Sequence, residues 1–221
     1  MVTGYRKAID LPRVIPVFPL DGATLLPGGS LPLNIFEPRY LNMIDDAMAG
    51  DRLIGMIQTR GGDPDRPGLA AIGCVGKITA FAETPDGRYM ITLTGVSRFE
   101  AGEDLPVRTP YRQVRARFAA FESDLQQHEK PPQIDRPRFL KALARYLDQR
   151  GLGIDWDTAK QAPVDALVNS LSMGLPFDPA EKQALLEAVT SPTGPRPSPP
   201  CWRSTPRAAM TNPIPCSRSR S

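Results

Sequence analysis

Leu31-Pro32-Leu33-Asn34-Ile35-Phe36-Glu37-Pro38-Arg39-Tyr40 reads as a strand that turns into a helix. Leu31, Leu33 and Ile35 fall on one face at a period of two. Pro32 cannot donate to a ladder, so the strand is expected at the edge of its sheet. Phe36 has the opposite parity, which frees it from the core: it either covers the following helix or offers an apolar contact. Pro38 suits a first helical turn. Tyr40, Ile44, Ala47 and Met48 then recur at helical spacing, and Gly50 ends the run.

On both sides of this corner the pattern is that of short strands. Residues 14–18 are apolar and bounded by Pro19, Asp21 and Gly22. Residues 71–82 form a long strand with Ile72, Cys74, Ile78 and Ala80 at even spacing, and Gly73 and Gly76 mark a bulge or bend in it. Pro85-Asp86-Gly87 is a turn, with proline presetting φ and glycine taking the positive φ. Tyr89, Ile91 and Leu93 share a face of the next strand. In residues 112–118, Val114, Ala116 and Phe118 point inward and Arg115 and Arg117 outward.

Beyond about residue 130 the period changes to 3.6. Asp135 caps a helix whose stripe is Phe139, Leu140, Leu143, Tyr146 and Leu147, and Gly151 and Gly153 stop it. Pro163 opens a second helix with Val164, Leu167, Val168 and Leu171 on one face. Asp178-Pro179-Ala180-Glu181 starts a third, with Asp178 as N-cap and Glu181 at the third position. The expected organisation is a β domain over residues 11–122, a helical subdomain over 133–190 and a Pro/Ser/Arg tail over 191–221.

That tail distorts the composition. The chain has 221 residues, 25 prolines and a formal charge of +3. Residues 191–221 hold eight of the prolines and five arginines with no Asp, Glu or Lys, so without them the charge is −2. The basic balance is therefore no sign of a nucleic-acid partner. Back-translated with GC-rich codons, residues 191–207 read in another frame as ADRAETLAALLEIDAA, a proline-free helical string. The tail is thus expected to be disordered and the product of a shifted reading frame. Only Cys74 lies in the body, which points to a reducing, cytoplasmic setting. Residues 1–13 lack an apolar run of signal-peptide length, and no stretch approaches the ~20 apolar residues of a membrane span.

Enzyme chemistry finds few candidates. Gly73-Cys74-Val75-Gly76-Lys77-Ile78-Thr79 has two residues between its glycines where a phosphate loop needs four, and Ile78 stands at the Ser/Thr position. Cys74 sits on an apolar face, and the single histidine, His128, lies in a polar loop, so neither a thiol nucleophile nor a zinc set is expected. Asp45 and Asp46 fall on a helix's polar face. Arg108, Arg112, Arg115 and Arg117 form the one basic cluster in the body, expected to protect a sheet edge rather than to meet phosphates.

Taken in order, several blocks resemble the N-terminal substrate-binding domain of the Lon ATP-dependent protease family. They are Ile15-Pro16-Val17-Phe18-Pro19-Leu20, Leu25-Leu26-Pro27-Gly28, the run from Leu31 to Tyr40, Leu53-Ile54-Gly55-Met56, Gly73-Cys74-Val75-Gly76-Lys77-Ile78, Asp86-Gly87-Arg88-Tyr89 and Gly95-Val96-Ser97-Arg98-Phe99. Leu171 to Leu175 and Glu181-Lys182-Gln183-Ala184-Leu185-Leu186-Glu187 extend the match, most of all to standalone bacterial Lon-N-like proteins. The resemblance implies an α+β fold: a PUA-like β pseudo-barrel followed by a small helical bundle. It also implies a non-catalytic module that binds unfolded or damaged polypeptide, without the family's AAA+ ATPase and Ser–Lys protease domains.

From these readings Phe36, Glu37, Pro38, Arg39, Tyr40 and Arg98 are the peptide-binding candidates. Glu37 is expected to pair with Arg39 or Arg98 and pin the corner. Peptide would add as a strand along residues 31–35. Met43, Met48 and Met56 offer either an adaptable apolar surface or core. The expected partners are unfolded polypeptide or peptide and, beyond it, a separate protease or chaperone. No cofactor, metal or membrane is expected. RNA binding through the PUA-like fold is the alternative, and nucleic acid is disfavoured.

Overall fold

The computed structural model describes residues 4–63, 66–126 and 135–188. The tail at 191–221, with its reading-frame expectation, and His128 lie outside these residues. Eight strands are present: β1 (Val14–Pro19), β2 (Ser30–Ile35), β3 (Leu53–Ile57), β4 (Thr59–Asp63), β5 (Arg66–Leu69), β6 (Ile72–Glu83), β7 (Tyr89–Asp104) and β8 (Arg112–Arg117). The main sheet runs β2-β7-β6-β3-β1-β8, and β7 also pairs with β8. That second pairing closes β7, β6, β3, β1 and β8 into a ring and leaves β2 outside it, paired to β7 alone among the described residues. The neighbours are antiparallel except β1 and β3, which are parallel. The ring followed by helices is the α+β pseudo-barrel expected.

The ring separates two apolar cores, and β3 shows how. All five of its residues are buried. Ile54 and Met56 join Phe18, Ile35, Met43, Ile44, Cys74, Ile91 and Leu93 in one cluster, beneath α1 (Pro38–Ala49). Leu53 and Ile57 join Ile15, Val17, Val75, Val96, Phe99 and Val114 in the other. A strand buried on both faces loses the alternation that marks a one-sided strand. Phe99 fits because Gly73 lies under it: a Cβ there would stand 2.7 Å from the ring.

Several expectations hold in detail. β2 is an edge strand with Pro32 exposed. Gly87 has φ +77° and its N–H reaches Thr84 O. α2 (Arg136–Arg150) begins with the Asp135 carboxylate accepting from Arg138 N–H and ends on Gly151 in the left-handed region. At the start of α5 (Pro179–Glu187), Asp178 N–H donates to the Glu181 carboxylate.

Others are corrected. β8 is not an edge, since it pairs with β1 on one side and β7 on the other. Its arginines meet acids of β7 instead: Arg112 with Asp104 at 2.7 Å and Arg117 with Glu100 at 3.0 Å. Ala80 is exposed, because the register shifts between Ile78 and Ala80 and breaks the inward stripe. Of the two roles open to the methionines, core holds for Met43 and Met56, and Met48 is half-buried against the same cluster. The β4–β5 ribbon, the 3-10 turn at Ala119–Leu125 and α3 (Trp156–Gln161) carry too few residues for periodicity to register. Asp155 caps α3 as Asp135 caps α2.

Leu143, Leu147 and Leu175 form a small cluster within the helical part. α4 (Val164–Gly174) and α5 reach the barrel in part through side chains that bond its backbone. Asn169 Nδ2 donates to Pro27 O, Gln183 Nε2 to Ile72 O and Lys182 Nζ to Gly22 O. Leu186 enters the barrel's first core cluster.

Candidate functional site

The corner between β2 and α1 holds five of the six candidates. Glu37 is the N-cap residue of α1 in an extended conformation, and its carbonyl accepts from Tyr40 and Leu41 N–H. Pro38 opens the helix. Its fixed φ and the strand parity before it turn Phe36 outward, and Phe36 is 63% exposed. Glu37 and Arg39 form an ion pair: the carboxylate oxygen Oε2 accepts from Nε at 2.9 Å and lies 2.8 Å from Nη2. Both side chains are about half exposed, so the pair holds geometry more than it stabilises the fold. The Arg39 guanidinium also lies 4.6 Å from the Tyr40 ring centre. Tyr40 itself is buried, with its ring 4.3 Å from that of Phe18. Burial pushes its phenol up, while the nearby Arg39 and Arg112 charges pull it down.

Arg98 does not join this corner. It is buried on β7 and forms a two-pronged pair with Asp124: Nη2 to Oδ1 at 2.7 Å and Nε to Oδ2 at 2.8 Å. Its own backbone N–H donates to Oδ2 at 3.0 Å, and Nη1 donates to Leu186 O at the end of α5. The guanidinium lies 4.7 Å from the Phe121 ring centre. Arg98 thus ties β7, the 3-10 turn and α5 together. The Glu37 pairing goes to Arg39 because Arg39 is two residues away on the same turn.

The outer face beside the corner carries no charge over several residues. The registers place Pro32 opposite Thr92 and Asn34 opposite Met90, and on the other side of β7, Ala80 opposite Thr92 and Ala82 opposite Met90. Among the described residues six large apolar side chains are exposed, and two of them belong to this face: Phe36, which has the parity of Asn34, and Met90 at 54%. Phe81, opposite Ile91, belongs to the other face of β6, where its ring packs edge-on against Tyr89 at 5.0 Å between centres. Sequence reading misses Met90, because a single apolar residue on a strand does not announce which face is covered.

A cleft of about 150 Å³ lies on the other side of Arg39, lined by Pro19, Arg39, Tyr40, Thr59, Pro67, Pro110, Tyr111 and Arg112. Arg112 Nη1 donates to Pro67 O at 2.6 Å, and Asp104 is shared between Arg112 and Arg66. Burial alone would raise the Asp104 carboxyl, but these two arginines hold it below the usual carboxylate range. Tyr111 donates to Asp46 at 2.6 Å, and burial together with that carboxylate pushes its phenol up to about 12.

Cys74 is fully buried, and burial pushes its thiol far up, so it is no nucleophile. No group of three metal-ligating side chains occurs among the described residues, and no helix there is long and apolar enough to cross a membrane.

Comparison with known proteins agrees with this architecture. The Lon protease 2 of Myxococcus xanthus is 26% identical over 192 residues, covering 86% of this chain and 20% of that protein. The Lon protease of Parabacteroides distasonis is 30% identical over 195 residues, covering 83% and 22%. The chain therefore spans about a fifth of the length of these relatives. Two solved structures share the fold. The Lon N-terminal domain protein from Xanthomonas campestris superposes with a TM-score of 0.54 at 21% identity, covering 79% of this chain and 90% of that one. The N-terminal domain of the Mycobacterium avium complex Lon protease gives 0.56 at 19%, covering 80% and 90%. The family described as the ATP-dependent protease La (LON) substrate-binding domain matches residues 14–191, and this chain belongs to it.

Proposed function

We propose that this chain binds unfolded or damaged polypeptide at the β2–α1 corner and performs no chemistry of its own. The observation that carries the reading is the pair of exposed apolar side chains, Phe36 and Met90, on the outer face of a sheet whose last strand has no partner on its outer edge among the described residues. An extended peptide adds to β2 through main-chain hydrogen bonds, which need no particular sequence. Its apolar side chains rest on Phe36, Met90 and the uncharged face between them. Such a surface selects for exposed hydrophobic segments, the feature that distinguishes an unfolded protein from a folded one. Within this reading the bound chain passes to a separate protease or chaperone in the cytoplasm.

RNA binding gains little from the basic cluster, since Arg112 and Arg117 are engaged by acids of β7. Binding to a chemically unfolded protein and to a random RNA, each at roughly 0.05 and 0.5 M salt, separates the two readings. Phosphate contacts weaken steeply over that range, whereas apolar capture does not. The expected result is unfolded-protein binding that changes less than about threefold with salt. No binding to unfolded protein would overturn the reading, and tight salt-sensitive RNA binding would replace it.

A further inference from the structure

We propose that the cleft lined by Arg39, Tyr40, Thr59 and Arg112 is a carboxylate subsite. It takes the C-terminal carboxylate or an acidic side chain of the polypeptide bound at the corner, and so rests on the reading above. The cleft wall holds two guanidinium groups and no carboxylate. The surrounding acids are already committed: Glu37 to Arg39, Asp104 to Arg66 and Arg112, Asp21 to Thr59 and Asp46 to Tyr111. Two arginines on the single Asp104 carboxylate leave that group with one unit of positive charge.

Arg39 supplies the open donors. Nε and Nη2 both go to the same Glu37 oxygen, which leaves Nη1 without a partner among the described residues. The guanidinium is held against the Tyr40 ring, so little freedom is lost when a ligand arrives. A planar guanidinium meets a carboxylate through parallel N–H donors, which a carboxamide cannot match in charge or geometry. The cleft and the apolar surface share the Phe36–Tyr40 segment, so one peptide can fill both. The pairing of an apolar stretch with a carboxylate next to it then becomes a preference within an otherwise sequence-tolerant mode of binding.

The test uses a fluorescein-labelled apolar peptide of about ten residues in three forms, a length that spans the corner and cleft as an extended strand. One ends in a free carboxylate, one in a carboxamide, and one is the carboxamide with a single internal aspartate. Each is titrated into the full chain and into Arg39→Gln and Arg112→Gln variants, whose melting is measured alongside; Asp104 keeps Arg66 in the second. The account expects at least one carboxylate form to bind about tenfold tighter than the plain amide, with the advantage falling to twofold or less in Arg39→Gln. The form that gains identifies the source, chain end or side chain. Equal binding of all three overturns the subsite and leaves the polypeptide reading intact. An advantage that survives in both variants overturns its location. Failure of every form to bind overturns both readings.

Discussion

Asp124→Ala is expected to destabilise the fold by about 3–5 kcal/mol, the usual cost of leaving one partner of a buried ion pair alone. Arg98 and Asp124 are 6% and 7% exposed, so water cannot replace the lost carboxylate. The substitution strips three donors at once: Nε, Nη2 and the backbone N–H of Arg98. It also loosens the anchor of α5, because the same guanidinium donates to Leu186 O. At roughly 2–4 °C per kcal/mol for a body of this size, melting should fall by about 6–20 °C. Replacing both partners, as Arg98→Met with Asp124→Leu, is expected to recover much of the loss, since two apolar groups need no pairing. A single-variant loss below about 1 kcal/mol would contradict the clamp.

Gly95→Val is the second large effect. A side chain at residue 95 would run into the Leu26 carbonyl oxygen and stand 2.8 Å from its carbon and 3.2 Å from Pro27 Cα. All three are backbone atoms, so no rotamer change relieves the overlap. The same place is stitched by two bonds, Gly28 N–H to Gly95 O at 2.9 Å and Gly95 N–H to Gly29 O at 2.8 Å. Valine must push this loop off β7, which costs about 3 kcal/mol or more. The displacement also reaches β2, whose first residue, Ser30, follows the loop. Denaturant unfolding should give a lower midpoint, and peptide affinity should fall with it. A midpoint equal to that of the unsubstituted chain would mean that the loop is not held against β7.

These two sites mark where sequence reading ends. The β2–α1 corner was legible because every signal in it is local: alternation over Leu31–Ile35, Pro32 at an edge and Pro38 in a first turn. The Glu37–Arg39 pair lies in the same short range, but the sequence leaves Arg98 open as the other partner. Arg98 was visible as a charge in an apolar strand, but its partner lies 26 residues further on, in a turn too short for periodicity to register. β8 was read as an edge because alternation reports which face is buried and says nothing of lateral neighbours. The second pairing of β7, at Glu100 and Ala101, is a property of ring closure. Met90 became part of the site only once the register set it beside Asn34.

Hydrogen exchange of the β2 amides tests the central claim most directly. Residues Ser30–Ile35, apart from Pro32, carry amides on the strand whose outer edge has no partner among the described residues. Exchange is measured with and without a saturating amount of the carboxamide peptide, which keeps the result independent of the carboxylate subsite. Strand addition predicts that β2 amides with no partner in the free chain slow by about tenfold or more, while the β1–β8 side of the ring is unchanged. Peptide that binds without slowing any amide of β2 would contradict the account.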